Sequence, residues 1–137
     1  MSGTQDGPAL HPTTRELAAG RSFAAMSTLL PSGQIQTQYV WVGTDGERLS
    51  VNTEVHRAKY RNLQEDPRVT LCIRDEANPY RYAEVRGRVV GEVRGQEARD
   101  DIDALSQKYE GRPYPPEAIK SERVKLWIEP ERQTVAE

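Results

Sequence analysis

Val51-Asn52-Thr53-Glu54-Val55-His56-Arg57-Ala58-Lys59-Tyr60-Arg61-Asn62-Leu63-Gln64-Glu65-Asp66-Pro67-Arg68-Val69 decides how the rest of this chain is read. It reads as a strand end, a short helix over roughly residues 55–65, and the start of another strand. Asn52 or Thr53 supplies the helix cap, because each has a side-chain oxygen that accepts from unpaired first-turn N–H groups. Pro67 ends the helix, since proline pushes the residue before it out of the helical region. Arg57 and Lys59 then fall in the first turn. Free N–H groups, the positive end of the helix dipole and two cationic side chains meet there, which makes an anion site. The bland alternative is a solvated basic face. Positive charge in a first turn opposes the dipole, and a local cost of that kind more often has a functional reason. Four cations (Arg57, Lys59, Arg61, Arg68) against Glu65 and Asp66 leave a local +2 in a chain of net charge -2. The excess is local, which points to a small anionic ligand rather than a long polyanion.

Outward from this stretch the chain is mostly strand. Ser22 to Leu30 is small and apolar and runs into the turn Pro31-Ser32-Gly33. Ile35 to Val42 is rich in strand formers, with Ile35, Thr37, Tyr39 and Trp41 on one face and Gln36, Gln38, Val40 and Val42 on the other. Asp45-Gly46 predicts a hairpin that returns through Arg48 to Thr53, antiparallel to the strand before it. Arg68 to Arg74 is a strand, and Asn78-Pro79 closes the next turn. Tyr80 to Val93 is a long strand whose Gly87 and Gly91 suggest a bend or bulge. Residues 96–110 form a helix with Ala98, Ile102, Leu105 and Tyr109 at helical spacing, broken by Gly111 and the following prolines. Arg123 to Ile128 is the last strand, ended by Pro130. Long antiparallel strands with few helices favour a small β-barrel with flanking helices.

Ahead of this lies a short helix, Thr13 to Ala19, that Gly20 terminates. Residues 1–12 read as a flexible arm and residues 13–137 as one domain. Only 36% of the 137 residues are hydrophobic and the mean hydropathy is -0.79, so some apolar surface is expected to be buried against another copy of the chain. A pI near 5.8 argues against a general nucleic-acid binder. Cys72, the single cysteine, sits in an apolar run and reads as a small buried hydrophobe. His11 and His56 have no companions at metal-ligand spacing, so no metal is expected. No apolar run reaches signal-peptide or membrane length, so the expected location is cytoplasmic, with no membrane partner. No Ser–His–Asp signature, phosphate-cradling glycine loop or dinucleotide fingerprint is present. An enzyme of this composition would take its chemistry from a cofactor. Tyr39 and Trp41 have a core reading, as strand aromatics usually do. Tyr80 and Tyr82 share a face with charged residues and are candidates to flank a planar ligand or a second subunit.

Several runs carry a family resemblance: Gly33-Gln34-Ile35-Gln36 through Tyr39-Val40-Trp41, Val51-Asn52-Thr53, Arg57-Ala58-Lys59-Tyr60-Arg61-Asn62-Leu63, Asp66-Pro67-Arg68-Val69, and Asn78-Pro79 through Gly87. Together, from about Arg21 to Glu131, they resemble the pyridoxamine-phosphate-oxidase-like split-barrel superfamily. Within it they are most similar to the actinobacterial oxidoreductases that use the deazaflavin coenzyme F420. The resemblance implies a six-stranded antiparallel split β-barrel and a homodimer with two cofactor sites at its interface. It implies that Arg57 and Lys59, with Ala58 between them, hold the cofactor phosphate, and that Asn52 and Thr53 add polar contacts. It implies that Gln38, Tyr39, Val40 and Trp41 line the ring, and that Tyr80 and Tyr82 come from the partner subunit. Arg61, one helical turn beyond Arg57, and Arg81 are candidates for the cofactor's anionic tail. The implied reaction is hydride transfer from the reduced cofactor to an electron-poor small molecule. The alternatives are an FMN-binding oxidase-like protein and a non-catalytic cofactor carrier. No catalytic residue or proton donor is assigned.

Overall fold

Alternating burial along the strands builds the sheet. In the computed structural model, which describes residues 2–137, the strands are β1 (Gly3–Asp6), β2 (Ala24–Leu29), β3 (Ile35–Val40), β4 (Gly43–Thr44), β5 (Leu49–Glu54), β6 (Arg68–Arg74), β7 (Tyr82–Arg94) and β8 (Arg123–Ala136). Helices α1 (Pro12–Ala19), α2 (Ala58–Glu65) and α3 (Gln96–Glu110) flank them. The strand order is β3-β2-β6-β7-β8-β5-β4, with β1 added alongside β8, and the pairings are antiparallel. The six long strands form the expected split barrel, and β1 and β4 are short additions. Inward residues such as Met26, Leu49, Val51, Leu71, Ile73, Val85, Leu126 and Ile128 fill it. Leu17 and Ala18 of α1 and Tyr60 and Leu63 of α2 pack against them.

Four expectations need correction. The arm does not trail free among the described residues. Gly3–Asp6 pairs with Arg132–Val135, and the buried Gln133 amide accepts from His11 N–H (3.1 Å) and donates to the Ala9 carbonyl (2.8 Å). Met1 of that expected arm lies outside the described residues. The Asp45-Gly46 hairpin is real but joins only β4 to β5. Asp45 Oδ1 accepts from the Glu47 and Arg48 N–H groups, and Gly46 takes the left-handed φ of 92° that the turn requires. Strand β3 pairs with β2 instead and sits at the opposite end of the strand order. The long strand expected from Tyr80 begins at Tyr82, because Tyr80 and Arg81 complete the turn closed by Arg81 N–H to the Asn78 carbonyl. Pro130 does not end the last strand. It sits opposite Gly87 at a register shift, and β8 runs on to Ala136.

That shift is where β8 changes its second partner. Before it β8 lies between β7 and β5, and after it between β7 and β1. A Cβ on Gly87 would stand 2.3 Å from the Glu129 carbonyl oxygen, so only glycine lets the two strands approach this closely. The second shift, at Gly91, meets open space.

These packings have measurable consequences for stability. Gly87→Ala is expected to cost about 1–3 kcal/mol by overpacking, whereas Gly91→Ala stays within about 0.5 kcal/mol. Urea unfolding of both variants beside the parent checks this. Lys108 is half-buried on α3, and burial pulls its ammonium pKa down to about 8 against a small opposing pull from Asp101. The unfolded chain, with an ordinary lysine near 10.5, therefore holds the extra proton between about pH 8 and 10.5. This group's penalty on folding is full below pH 8 and vanishes as pH rises through that window. The parent should thus gain stability relative to Lys108→Met between pH 8 and 10.5, measured by denaturation across that range.

Candidate functional site

Strand β5, the first turn of α2 and the first residue of β8 bring three cations together. Arg57 is the N-cap residue of α2, Lys59 lies in its first turn, and Arg123 pairs across the ladder with Glu54. No side chain caps α2: the Tyr60 N–H turns back to the Arg57 carbonyl (3.1 Å), and the Ala58 and Lys59 N–H groups ahead of it have no such cap. The cap expected from Asn52 or Thr53 is not made, because β5 continues to Glu54 and holds both residues in its ladder with β8.

Glu54 organises the cations. It is fully buried, and its Oε1 accepts from the Lys120 N–H (2.6 Å) and the Ser121 N–H (2.7 Å). Its Oε2 lies 3.4 Å from Arg123 and 3.7 Å from Arg57. Burial alone would raise the Glu54 pKa. The two N–H donors and then Arg123 and Arg57 outweigh it and hold the carboxyl below its ordinary value. Arg123 is itself buried, and its Nε donates to Asn52 Oδ1 at 2.9 Å. Asn52 in turn donates to the Ala98 carbonyl (2.9 Å) and to Asp101 (3.0 Å) on α3. The polar atoms of Asn52 are thus engaged in placing Arg123.

Two groups at this site lack a protein partner. The Thr53 hydroxyl is buried with no hydrogen bond. Lys59 is half-buried and makes neither a hydrogen bond nor an ion pair among the described residues; burial first, then the charges of Arg57 and Arg123, push its pKa down. A buried hydroxyl without a partner and a partly desolvated ammonium beside two guanidinium groups are both relieved by an anion.

An aromatic wall adjoins the cations. Trp41 follows β3, and Tyr114 stands edge-on to it with ring centroids 6.2 Å apart. The Arg123 guanidinium sits 5.2 Å from the Tyr114 ring. Phe23 and Tyr39 complete the wall and are 47% and 79% exposed, so Tyr39 is not the core residue that its strand position first suggests. Between cations and aromatics lies an open cavity of about 210 Å³.

The cavity brings together Tyr39, Val40, Trp41, Asn52, Thr53, Arg57 and Lys59 of the residues singled out from sequence. Ala58 lies between the two cations of the α2 turn. Gln38 is exposed opposite Met26 on the β2–β3 ladder and does not line the cavity. Arg61 is exposed on α2 and also outside it. Tyr80, Arg81 and Tyr82 lie at the β6–β7 turn, away from these walls, and Arg81 is ion-paired with Glu16 (2.8 Å) and Asp75 (3.0 Å). Sequence reasoning missed Phe23, Ile102, Tyr114 and Arg123, which also line the cavity. Arg123 is visible only once the register of β5 and β8 sets it against Glu54. Among the described residues no cluster of His, Cys, Asp and Glu could hold a metal, and no helix is long and apolar enough to cross a membrane.

The sequence matches the family model for pyridoxamine 5'-phosphate oxidase over residues 10–135. A solved structure named F420 reductase is 32% identical, covers 88% of this chain and 94% of its own length, and superposes with a TM-score of 0.75. A conserved hypothetical protein from Mycobacterium tuberculosis is 20% identical, with 96% of this chain and 87% of that chain covered and a TM-score of 0.76. A pyridoxamine 5'-phosphate oxidase-related, FMN-binding protein from Nostoc punctiforme is 17% identical, with 89% and 82% covered and a TM-score of 0.58. At these identities the last two show the fold alone. No curated protein matches the sequence. The family match spans both the cationic cradle and the aromatic wall, and the chain belongs to the pyridoxamine 5'-phosphate oxidase-like family of split-barrel oxidoreductases.

Proposed function

We propose that this protein binds the deazaflavin coenzyme F420 and passes a hydride from its reduced form to an electron-poor small molecule. The observation that carries the reading is the unpartnered Lys59, set with Arg57, Arg123 and the buried Thr53 hydroxyl beside an aromatic wall. An amphipathic ligand with a phosphate at one end and a planar ring at the other satisfies both halves. Arg57, Lys59 and the open α2 turn hold the phosphate, and Trp41 and Tyr39 flank the ring. The hydride is chemistry that the cofactor supplies when bound; the protein's share is position and charge. Similarity to a structure named F420 reductase supports the choice of cofactor. For the anionic tail, Arg61 is the better of the two expected cations. It makes no ion pair among the described residues, whereas Arg81 has two carboxylates of its own.

A second reading has its own support. Three cations against the single Glu54 carboxylate leave a local +2, which also suits the dianionic phosphate of FMN.

We propose in addition that the site is completed in a homodimer. A cavity of about 210 Å³ is small for a cofactor of this size, since such pockets usually hold about 300–1,000 Å³. Ile35, 70% exposed on β3, borders an apolar groove shared by Leu29 and Val69, and Tyr39, 79% exposed, lies further along the same strand at the cavity. A second copy would cover that face. Tyr80 and Tyr82 of the partner subunit would then approach the ring.

Titration of the parent and of Lys59→Ala with both cofactors at low and high salt tests the cofactor. The deazaflavin is expected to bind more tightly than FMN, with the gap narrowing as salt rises. Lys59→Ala should lose about 1.5–3 kcal/mol of affinity, the worth of a charge-assisted contact, with little change in melting temperature. Equal affinities at low salt would favour FMN, and an unchanged affinity in Lys59→Ala would remove the phosphate assignment. Sedimentation at micromolar concentration should show a dimer; a monomer alone would remove the shared site.

A further inference from the structure

The last turn of α3 lines no part of the cavity, yet it holds two rings of the aromatic wall, Phe23 and Trp41. Tyr109 is buried, at 7% exposure. Its ring lies parallel to Trp41, with centroids 5.3 Å apart and planes within 5°. The same ring meets Phe23 edge-on, at 5.2 Å and 67°. Its hydroxyl donates to the Ser22 carbonyl at 2.7 Å and accepts from the Val42 N–H at 3.1 Å. Ser22 and Val42 are the chain neighbours of Phe23 and Trp41. One side chain therefore fixes the planes of two aromatic rings and the backbone beside each. Lys108 adds a second tie, donating to the Val42 carbonyl (2.6 Å) and to the Ala18 carbonyl at the end of α1 (2.8 Å). Both backbone groups of Val42 are thus held from α3.

We propose that Tyr109 is a positioning residue that keeps Phe23 and Trp41 as a preformed wall and so sets affinity for a planar ring that it does not itself touch. The part concerning the ligand rests on the cofactor reading above; the part concerning the wall stands on the free protein. Preorganisation of this kind acts on affinity by removing the ordering that would otherwise accompany binding. The anion end of the cavity is built from β5, α2 and β8, so ring affinity and anion affinity should separate when Tyr109 is changed.

The test uses the full chain carrying Trp127→Phe. Trp127 lies between Arg48 and Lys125 outside the cavity, so Trp41 becomes the only indole. In Tyr109→Leu without ligand, acrylamide quenching of Trp41 is expected to rise about threefold as the stacked partner is lost. Deazaflavin affinity should fall about tenfold while inorganic pyrophosphate affinity holds within about twofold, as expected for loss of preorganisation at one end only. Tyr109→Phe keeps the ring and drops the hydroxyl, so it should lie between parent and Tyr109→Leu in both quenching and ring affinity. If the leucine variant does not fold, the phenylalanine variant alone discriminates. Parental quenching in both variants, or equal losses of ring and pyrophosphate affinity, would overturn the proposal. If the parent binds no deazaflavin, the cofactor reading fails, and the quenching series still decides whether Tyr109 holds the wall.

Discussion

The constraint on which the architecture depends is covalent. Strands β3 and β4 occupy the two ends of the strand order, yet only Trp41 and Val42 separate them in the chain. Three backbone steps from Val40 to Gly43 span at most about 11 Å. The sheet must therefore curl until its two ends nearly touch. No ladder closes the gap, so the backbone groups there need partners from elsewhere, and α3 provides them at Val42 through Tyr109 and Lys108. The residue that bridges the gap beside Val42 is Trp41, and it lines the candidate site. Closure of the barrel and placement of the aromatic wall are thus one event.

The opposite side of the cavity depends on a buried negative charge. Glu54 alone would be costly inside the protein, and its N–H donors and two guanidinium neighbours offset that cost. In return it gathers Arg57 from α2 and Arg123 from β8 at one place, and it ties down the Lys120–Ser121 backbone. Lys59 has no such counter-charge. Of the three cations at the cavity it is the one whose charge the protein leaves unmet, since Arg57 and Arg123 both have Glu54.

Most strand positions were legible because each follows from local chemistry. Arg68–Arg74 follows Pro67 and the 96–110 helix stops at Gly111, and the structure has them at those bounds. The bend expected from Gly87 and Gly91 is present as two register shifts. The failures are long-range. The turn Pro31-Ser32-Gly33 is a local sign that Ile35–Val40 folds back on β2, but nothing local shows that its chain successor joins the other end of the sheet. Pro130 reads as a terminator because its tolerance depends on Gly87, more than forty positions away, making room for it. The anion site was legible as charge in a helical first turn. Arg123 was not, since it enters only through its register with Glu54, and the engagement of Asn52 with Arg123 and Asp101 was hidden for the same reason. Asn62 shows the other side of this limit. It belongs to the run that carries the family resemblance, yet its amide is buried against Thr28 and Gln36, where it fastens α2 to the sheet.

Strand β8 comes last among the elements but pairs with β7, β5 and β1. Until residues 123–136 leave the ribosome, β5 with β4 and the β3-β2-β6-β7 ladder are separate pieces, each with an unpaired edge. Synthesis therefore imposes a waiting period in which the apolar interior is open to water and to other nascent chains. Arg86, Arg88 and Arg94 along β7, and Glu92 among them, place charge on the edge that waits. Such charges disfavour edge-to-edge association before the final strand docks.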